Sequence, residues 1–430
     1  MSGLMMDLYE LTMAQAYERE GLDGAAVFEL YFRRMPAGRG YVIAAGLDAA
    51  LAALEGFRFS DTDRRYLSFL EQLDPEFVAR LSDVHFSGDV WAVPEGTAVF
   101  ENEPLVQVVA PLAQAQLVET LVLNPVHFQS TIASKAARVV DAAAGRTVVD
   151  FGARRAHGLD AALGAARAAY IAGAAGTSNL LAGERHSIPV FGTMAHSYVQ
   201  AHATEEGALR AFAGVFPNTT LLVDTYDTER GVQRAIEVMN ELGPVAALRL
   251  DSGDLLQLSR GARRALDEAG YRSVEIFASS GLDEHAIAEL VRADAPIDGF
   301  GVGTALTTSE DAPALDMAYK LVEYAGRGRT KLSSEKVVLP GRKQVFRQRS
   351  GRDVIAQSDE SPGGIPLLQA VMRDGRRTER VRLEDARQRA ALSIGALPAA
   401  VRRLRAPAHY PVDVSARTNA ALSELRRELS

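Results

Sequence analysis

The sequence predicts an α/β chain whose middle is an irregular β/α barrel, joined to a second α+β domain built from N- and C-terminal segments. Three observations carry that expectation. From about residue 145, short apolar runs recur, each followed by a polar or glycine-rich cluster and then by an amphipathic stretch. The units are spaced by roughly 25 to 35 residues, enough for a strand, a turn and a returning helix. Polar groups gather after every run, as at a barrel mouth, whereas a doubly wound sheet concentrates its site at one switch point.

Along the chain, residues 27–32 read as a strand, residues 86–108 as short runs broken by Pro94, Gly96 and Pro104, and residues 113–144 as one long helical pattern. The barrel runs are 147–149, 188–191, 221–223, 245–250, 274–277 and 297–302. Their continuous β-branched character suits strands buried on both faces. Residues 229–242, 255–269 and 284–292 carry apolar residues at helical spacing with few breakers. Beyond Pro340 come short runs at 345–346 and 353–356, then an Arg-rich, mostly helical tail. The expected division is an N-terminal α+β domain over 1–144, the barrel over 145–335, and a C-terminal segment over 336–430 that packs on the N-terminal domain.

Composition removes several function classes. At about 150 residues per domain, a length of 430 fits two to three domains. A hydrophobic share of 47% supplies a core, which excludes fibrous and disordered classes. The net charge of −8 repels phosphate backbones, so no nucleic-acid partner is expected. Without a single cysteine there is no disulfide framework, thiolate nucleophile or Cys-ligated metal. The start is acidic where a signal peptide would be basic, and no apolar run approaches the roughly 18 residues of a membrane span. A cytoplasmic location and no membrane partner are therefore expected.

Residues at the carboxyl ends of barrel strands face one common mouth. That places Arg154, Arg155, His157, Thr193, His196, Asp224 and Asp227 together with Arg249, Asp251, Asp254, Ser280, Gly281, Gly301, Gly303 and Thr304. Arginine forks bind carboxylate or phosphate, and carboxylates hold magnesium or sugar hydroxyls, so the substrate should be anionic. Gly301-Val302-Gly303-Thr304, beside Ser279-Ser280-Gly281 on the preceding strand end, offers backbone donors for a phosphate. Taken alone, Gly-x-Gly is a tight turn more often than an anion site.

Capping accounts for Ser252 or Asp254, but not for Arg249, which strand alternation places on the same side as Asp251. His196 competes with a core histidine, and its place three residues past Thr193 moves it to the mouth, as base, metal ligand or nucleophile. The chain has five lysines, Lys135, Lys320, Lys331, Lys336 and Lys343, four of them just beyond the phosphate candidate. They read either as phosphate contacts or as a solvated loop. Dinucleotide, Walker, nucleophile-elbow and zincin motifs are absent.

Taken jointly, several motifs resemble the nicotinate phosphoribosyltransferase family. They are Asp-Leu-Tyr-Glu-Leu-Thr-Met-Ala (7–14), Phe-Arg-Arg-Met-Pro (32–36), Asp-Phe-Gly-Ala-Arg-Arg-Ala-His-Gly (150–158) and Gly-Thr-Met-Ala-His-Ser (192–197). Val-Asp-Thr-Tyr-Asp (223–227), Leu-Arg-Leu-Asp-Ser-Gly-Asp (248–254) and Gly-Val-Gly-Thr (301–304) complete the set. The resemblance runs in order from about residue 5 to about 346, and the tail beyond 350 contributes nothing to it.

The resemblance implies a barrel of the type II phosphoribosyltransferase kind. Its reaction transfers 5-phosphoribosyl from phosphoribosyl pyrophosphate to the ring nitrogen of nicotinate, giving nicotinate mononucleotide and pyrophosphate for NAD salvage. It further implies ATP as co-substrate, hydrolysed through a phosphohistidine at His196, and a homodimer with shared active sites. Tyr9, Phe151, Thr193 and Arg249 match nicotinate contacts, Tyr9 reaching in from the partner subunit. Thr304 matches a phosphoribosyl contact, with Arg154, Ser280, Gly281, Gly301 and Gly303 as neighbours. Magnesium would sit mainly on pyrophosphate, helped by Asp251 or Asp224.

Ser178 stands where the nicotinamide-using relative carries an aspartate, which favours an acid substrate. A nicotinamide- or quinolinate-using member of the same fold is the alternative, and a non-catalytic anion-binding barrel is the reading from another class.

Overall fold

The computed structural model describes residues 3–333 and 337–429. The chain divides into two compact units, 1–131 with 314–430, and 132–313. The N- and C-terminal segments thus share one unit, and both limits of the other fall earlier than 145 and 335. The long helix Glu119–Ala142 has the first limit inside it. The strand Met317–Tyr324, expected with the barrel, pairs with Ala25–Phe32 instead, as in Leu30 opposite Tyr319. The helical pattern at 113–144 is split in two, Leu112–Leu117 and Glu119–Ala142, by a break at Val118.

The first unit is built on a seven-stranded sheet in which Ala25–Phe32 lies between Met317–Tyr324 and the central strand Val106–Pro111, both pairs antiparallel. Its strand Ala25–Phe32 is buried along nearly its whole length, which is why it is apolar apart from Glu29. A four-stranded sheet is formed by the tail, with Lys343–Gln348 paired to Arg352–Gln357. Lys343 cannot be a phosphate contact. It is buried, 2.9 Å from the Glu29 carboxylate, and donates to the backbone oxygens of Leu339 and Gly341. Lys336 lies outside the described residues.

Glu10, in the helix Leu8–Glu20, is fully buried. Its Oε1 accepts from the Asp7 backbone N–H at 3.2 Å and the Thr120 hydroxyl at 2.6 Å. Burial pushes its carboxyl up to about 7; those hydrogen bonds oppose the shift, and the charges of Glu119 and Asp7 add to it. In the unfolded chain the group titrates near 4.5. The folded state therefore holds the extra proton, and stability falls as pH rises from about 4.5 to about 7, by at most about 3 kcal/mol. Glu10→Gln keeps an acceptor for both donors and removes the titration. Urea midpoints of this variant should drop less between pH 5 and pH 8 than those of the parent; equal drops would remove Glu10 as the cause.

The second unit holds the barrel. Its strands are β1 (Thr147–Asp150), β2 (Gly176–Thr177), β3 (Thr220–Leu222), β4 (Ala247–Leu250), β5 (Glu275–Ser279) and β6 (Gly299–Val302). All pairs are parallel, and the order is β2, β1, β6, β5, β4, β3. The last strand lies beside the first and the others follow chain order, which is a barrel sequence and not a doubly wound one.

The sequence reading missed β2, and the expected strand at 188–191 is reduced to a single parallel bridge between Thr177 and Val190. Between that bridge and β3, Thr193 Oγ1 donates to the backbone oxygen of Thr220. This seam makes the barrel irregular. The returning helices Thr228–Leu242, Leu255–Glu268 and Glu284–Arg292 are each N-capped by the aspartate before them, Asp227, Asp254 and Asp283. They lie where their periodicity predicts.

Candidate active site

The site is assembled where strands β4 and β5 end. Arg249 and Asp251 are two residues apart and share a face, so the guanidinium reaches the carboxylate, Nη2 to Oδ1, at 2.9 Å. Parallel register sets Phe277 opposite Arg249 and brings Ser279 alongside. Arg249 Nε donates to Ser279 Oγ at 2.9 Å, and Ser279 Oγ donates to Asp251 Oδ1 at 2.5 Å. Burial would raise the Asp251 carboxyl, but the Ser279 hydrogen bond, Arg249 and the His196 charge outweigh it and hold it below the usual aspartate range. Asp251 is a carboxylate at neutral pH.

His196 is the first residue of the helix His196–Gln200, with 39% of its side chain exposed. It is not a core histidine. Its Nδ1 lies 3.1 Å from Thr225 Oγ1 and its Nε2 3.5 Å from Asp251 Oδ2. Arg249, Asp251 and His196 therefore form one chain of contacts. Asp224 supports it from below: its Oδ2 accepts from the Asp251 backbone N–H at 2.8 Å and the Ser252 hydroxyl at 2.6 Å. The other oxygen, Oδ1, is buried and has no hydrogen-bond partner among the described residues.

A cavity of about 760 Å³ reaches this chain at Arg249; Phe151, Thr193, Phe277, Phe191 and Phe212 also line it, and it extends to the strand starts at Thr147, Thr220, Ala247 and Glu275. The rings of Phe151 and Phe277 are 5.8 Å apart, and the Arg249 guanidinium stands 5.6 Å from the Phe151 ring centre. A cationic fork beside aromatic walls suits a flat ring that carries a carboxylate. Gly301 departs from its expected place in a phosphate cradle. It lies inside β6, and a Cβ there would sit 2.5 Å from the Phe151 ring, so its lack of a side chain makes room for that ring.

The remaining candidates stand at strand ends. Ser280 and Gly281 form a turn after β5 with φ of 117° and 54°. Gly303 precedes the short helix Thr304–Thr307, and Thr304 is exposed. Arg154 is exposed in the turn Ala153–Arg155 after β1. Tyr9 belongs to the other unit, on the helix Leu8–Glu20, where burial and the neighbouring Glu119 push its hydroxyl above the usual tyrosine range.

Phe277, Thr225 and Asp150 were not singled out from the sequence, and Ser279, read there only as part of a phosphate turn, instead joins Arg249 to Asp251. Asp150 is buried, and its Oδ1 accepts from the Gly152 N–H and its Oδ2 from the Thr177 hydroxyl, both at 2.8 Å. It fastens the Phe151 turn to β2. Its place in the Asp-Phe-Gly motif was the available signal, whereas Ser279 depends on strand register.

Among the described residues no group of three histidine or carboxylate side chains forms a metal cage, and no helix is long and apolar enough to cross a membrane.

Comparison with known proteins gives the family. Residues 4–127, 147–333 and 363–421 match, in turn, the N-terminal domain, the main family and the C-terminal domain described for nicotinate phosphoribosyltransferase (NAPRTase). The third match corrects the expectation that the tail beyond 350 carries no resemblance. The chain is 57% identical to nicotinate phosphoribosyltransferase pncB2 of Mycobacterium tuberculosis, over 98% of this chain and 94% of that protein. It is 46% identical to the nicotinate phosphoribosyltransferase of Bacillus subtilis, over 83% and 76%.

The crystal structure of human nicotinic acid phosphoribosyltransferase superposes with a TM-score of 0.87 at 31% identity, covering 98% of this chain and all of that one. That of nicotinate-nucleotide pyrophosphorylase from Pyrococcus furiosus gives 0.77 at 26% identity, covering 92% and 95%. By its three domain matches and its full-length relatives, the chain belongs to the nicotinate phosphoribosyltransferase family.

Proposed function

We propose that the chain carries out the reaction for which its family is named, coupled to ATP. The 5-phosphoribosyl group moves from phosphoribosyl pyrophosphate to the ring nitrogen of nicotinate; the C1–oxygen bond to pyrophosphate breaks and a C1–nitrogen bond forms. The observation that carries the proposal is the Arg249–Asp251–His196 chain of contacts beside an aromatic cavity. Arg249 Nε and Nη2 are engaged by Ser279 and Asp251, which leaves Nη1 as the donor for the pyridine carboxylate, and the residue lines the cavity. Phe151 and Phe277 hold the ring, which keeps its nitrogen in line with the ribose carbon.

His196 is the residue that takes phosphate from ATP. A carboxylate that fixes the proton on one ring nitrogen leaves the lone pair of the other as nucleophile, and Asp251 is placed to do so. Phosphorylation adds nearly two negative charges to the site and favours the cationic, oxocarbenium-like centre. Ser178, next to β2 with its N–H on the Asp150 backbone oxygen, puts no negative charge near the substrate acid.

The residues present fit a metal carried by the substrate rather than one caged by protein: Asp224 Oδ1, buried and unpartnered among the described residues, and Asp251 are the available oxygens. Magnesium held there with pyrophosphate would offset leaving-group charge. Ser280, Gly281, Gly303, Thr304 and Arg154 are assigned to the phosphoribosyl pyrophosphate. A cytoplasmic homodimer, with Tyr9 completing the partner's site, belongs to the same proposal.

A panel of nicotinate, nicotinamide and quinolinate, each with phosphoribosyl pyrophosphate and with or without ATP, tests the reaction. Pyrophosphate release much faster with nicotinate than with nicotinamide or quinolinate, stimulated by ATP, is the expected result. Turnover of nicotinamide or quinolinate at a comparable rate would overturn the substrate assignment.

A further inference from the structure

The two turns assigned to the phosphates share one buried support. They leave neighbouring strands, since Ser279 of β5 is paired with Gly301 of β6. Ser280 carries a side chain at a φ of 117°, a conformation such residues keep only where their surroundings fix it. The segment just beyond the turn is anchored by a cap and by buried charges. Asp283 caps the helix Glu284–Arg292 by accepting from the N–H groups of His285 and Ala286 at 2.9 and 2.8 Å. The next residue, Glu284, is fully buried, and its carboxylate meets Lys135 Nζ at 2.5 Å and Arg138 Nε at 2.9 Å.

Lys135 is itself buried, with 2% of its side chain exposed, and reaches Asp311 Oδ1 at 2.7 Å. Asp311 comes after the short helix that begins at Thr304. One ammonium group, mounted on the helix Glu119–Ala142, thus ties the segment after the Ser280 turn to the segment after the Gly303 turn. A buried cation adds little to stability over apolar packing, but it fixes the places of the carboxylates that meet it. Phosphate affinity depends on donors held within fractions of an ångström.

We infer that Lys135 is a positioning residue for phosphoribosyl pyrophosphate, setting the spacing of the two turns without touching the substrate. This rests on the proposal that those turns hold the substrate phosphates.

Steady-state kinetics with each substrate varied separately test it, on full-length Lys135→Met, Asp311→Asn and, as a direct contact, Thr304→Val. In Lys135→Met the KM for phosphoribosyl pyrophosphate should rise about tenfold or more, with the KM for nicotinate and kcat within about threefold. Asp311→Asn should show a smaller rise confined to the same constant. If Lys135→Met does not fold, Asp311→Asn, whose carboxylate is partly exposed, decides by the same criterion.

A KM for phosphoribosyl pyrophosphate unchanged in both, while Thr304→Val raises it, overturns the inference and leaves the phosphate assignment standing. No change in any of the three overturns the assignment as well. Equal losses in both KM values and kcat make Lys135 a general folding residue and also overturn the inference.

Discussion

Replacing Arg249 with alanine should lower kcat/KM for nicotinate by roughly 30- to 5000-fold, the equivalent of about 2 to 5 kcal/mol. The size derives from where the guanidinium sits. It is 14% exposed, held by Ser279 and Asp251, and borders the aromatic cavity, so a carboxylate that meets it there has already left water. Without the cation, a desolvated substrate acid faces Asp251 with no intervening charge, and the interaction becomes repulsive.

Arg249→Lys should recover part of the loss, because the charge returns without the planar fork. The constants for ATP should move far less than those for nicotinate. Nicotinamide, which has no carboxylate, should lose little with the same change. Equal losses for nicotinate and nicotinamide would contradict the assignment of Arg249 to the substrate acid.

The second large effect concerns His196. In His196→Ala the hydrolysis of ATP should fall to background, and ATP should no longer stimulate pyrophosphate release from phosphoribosyl pyrophosphate. A slower, ATP-independent transfer should remain, because Arg249, Phe151 and the phosphate turns are untouched. Asp251→Asn should weaken both activities, since that carboxylate faces the imidazole at 3.5 Å and also meets Arg249 and Ser279. Measuring ATP turnover and nicotinate mononucleotide formation in parallel separates the two functions. Retention of ATP-stimulated transfer in His196→Ala would remove the imidazole from the coupling step.

Much of this was legible from residue order. Runs such as 245–250 announced β4 because both faces of a parallel strand are buried, and alternation alone put Arg249 and Asp251 on one side. The strand β2 was missed because two residues, Gly176 and Thr177, carry no pattern. The run 188–191 was over-read because it borders the open seam, where Val190 and Phe191 remain exposed.

Burial decided the lysines. Lys343 read in sequence as a phosphate contact or part of a solvated loop and Lys135 stood apart from the other four, yet each meets a buried carboxylate, Glu29 for one and Glu284 for the other, which no local pattern reveals. Ser279 and Phe277 entered the site through register with β4, a long-range property. Gly301 illustrates the converse: a Gly-x-Gly pattern invited a phosphate turn, and the first glycine instead clears space for a ring.

The most direct measurement of the account is to incubate the protein with ATP labelled at its γ-phosphate, quench in base, and locate the label by peptide mapping. Acid-labile, base-stable phosphate on the peptide that contains His196, discharged when nicotinate and phosphoribosyl pyrophosphate are added, is expected. Active protein that carries no such phosphate, or label on another residue, would contradict it.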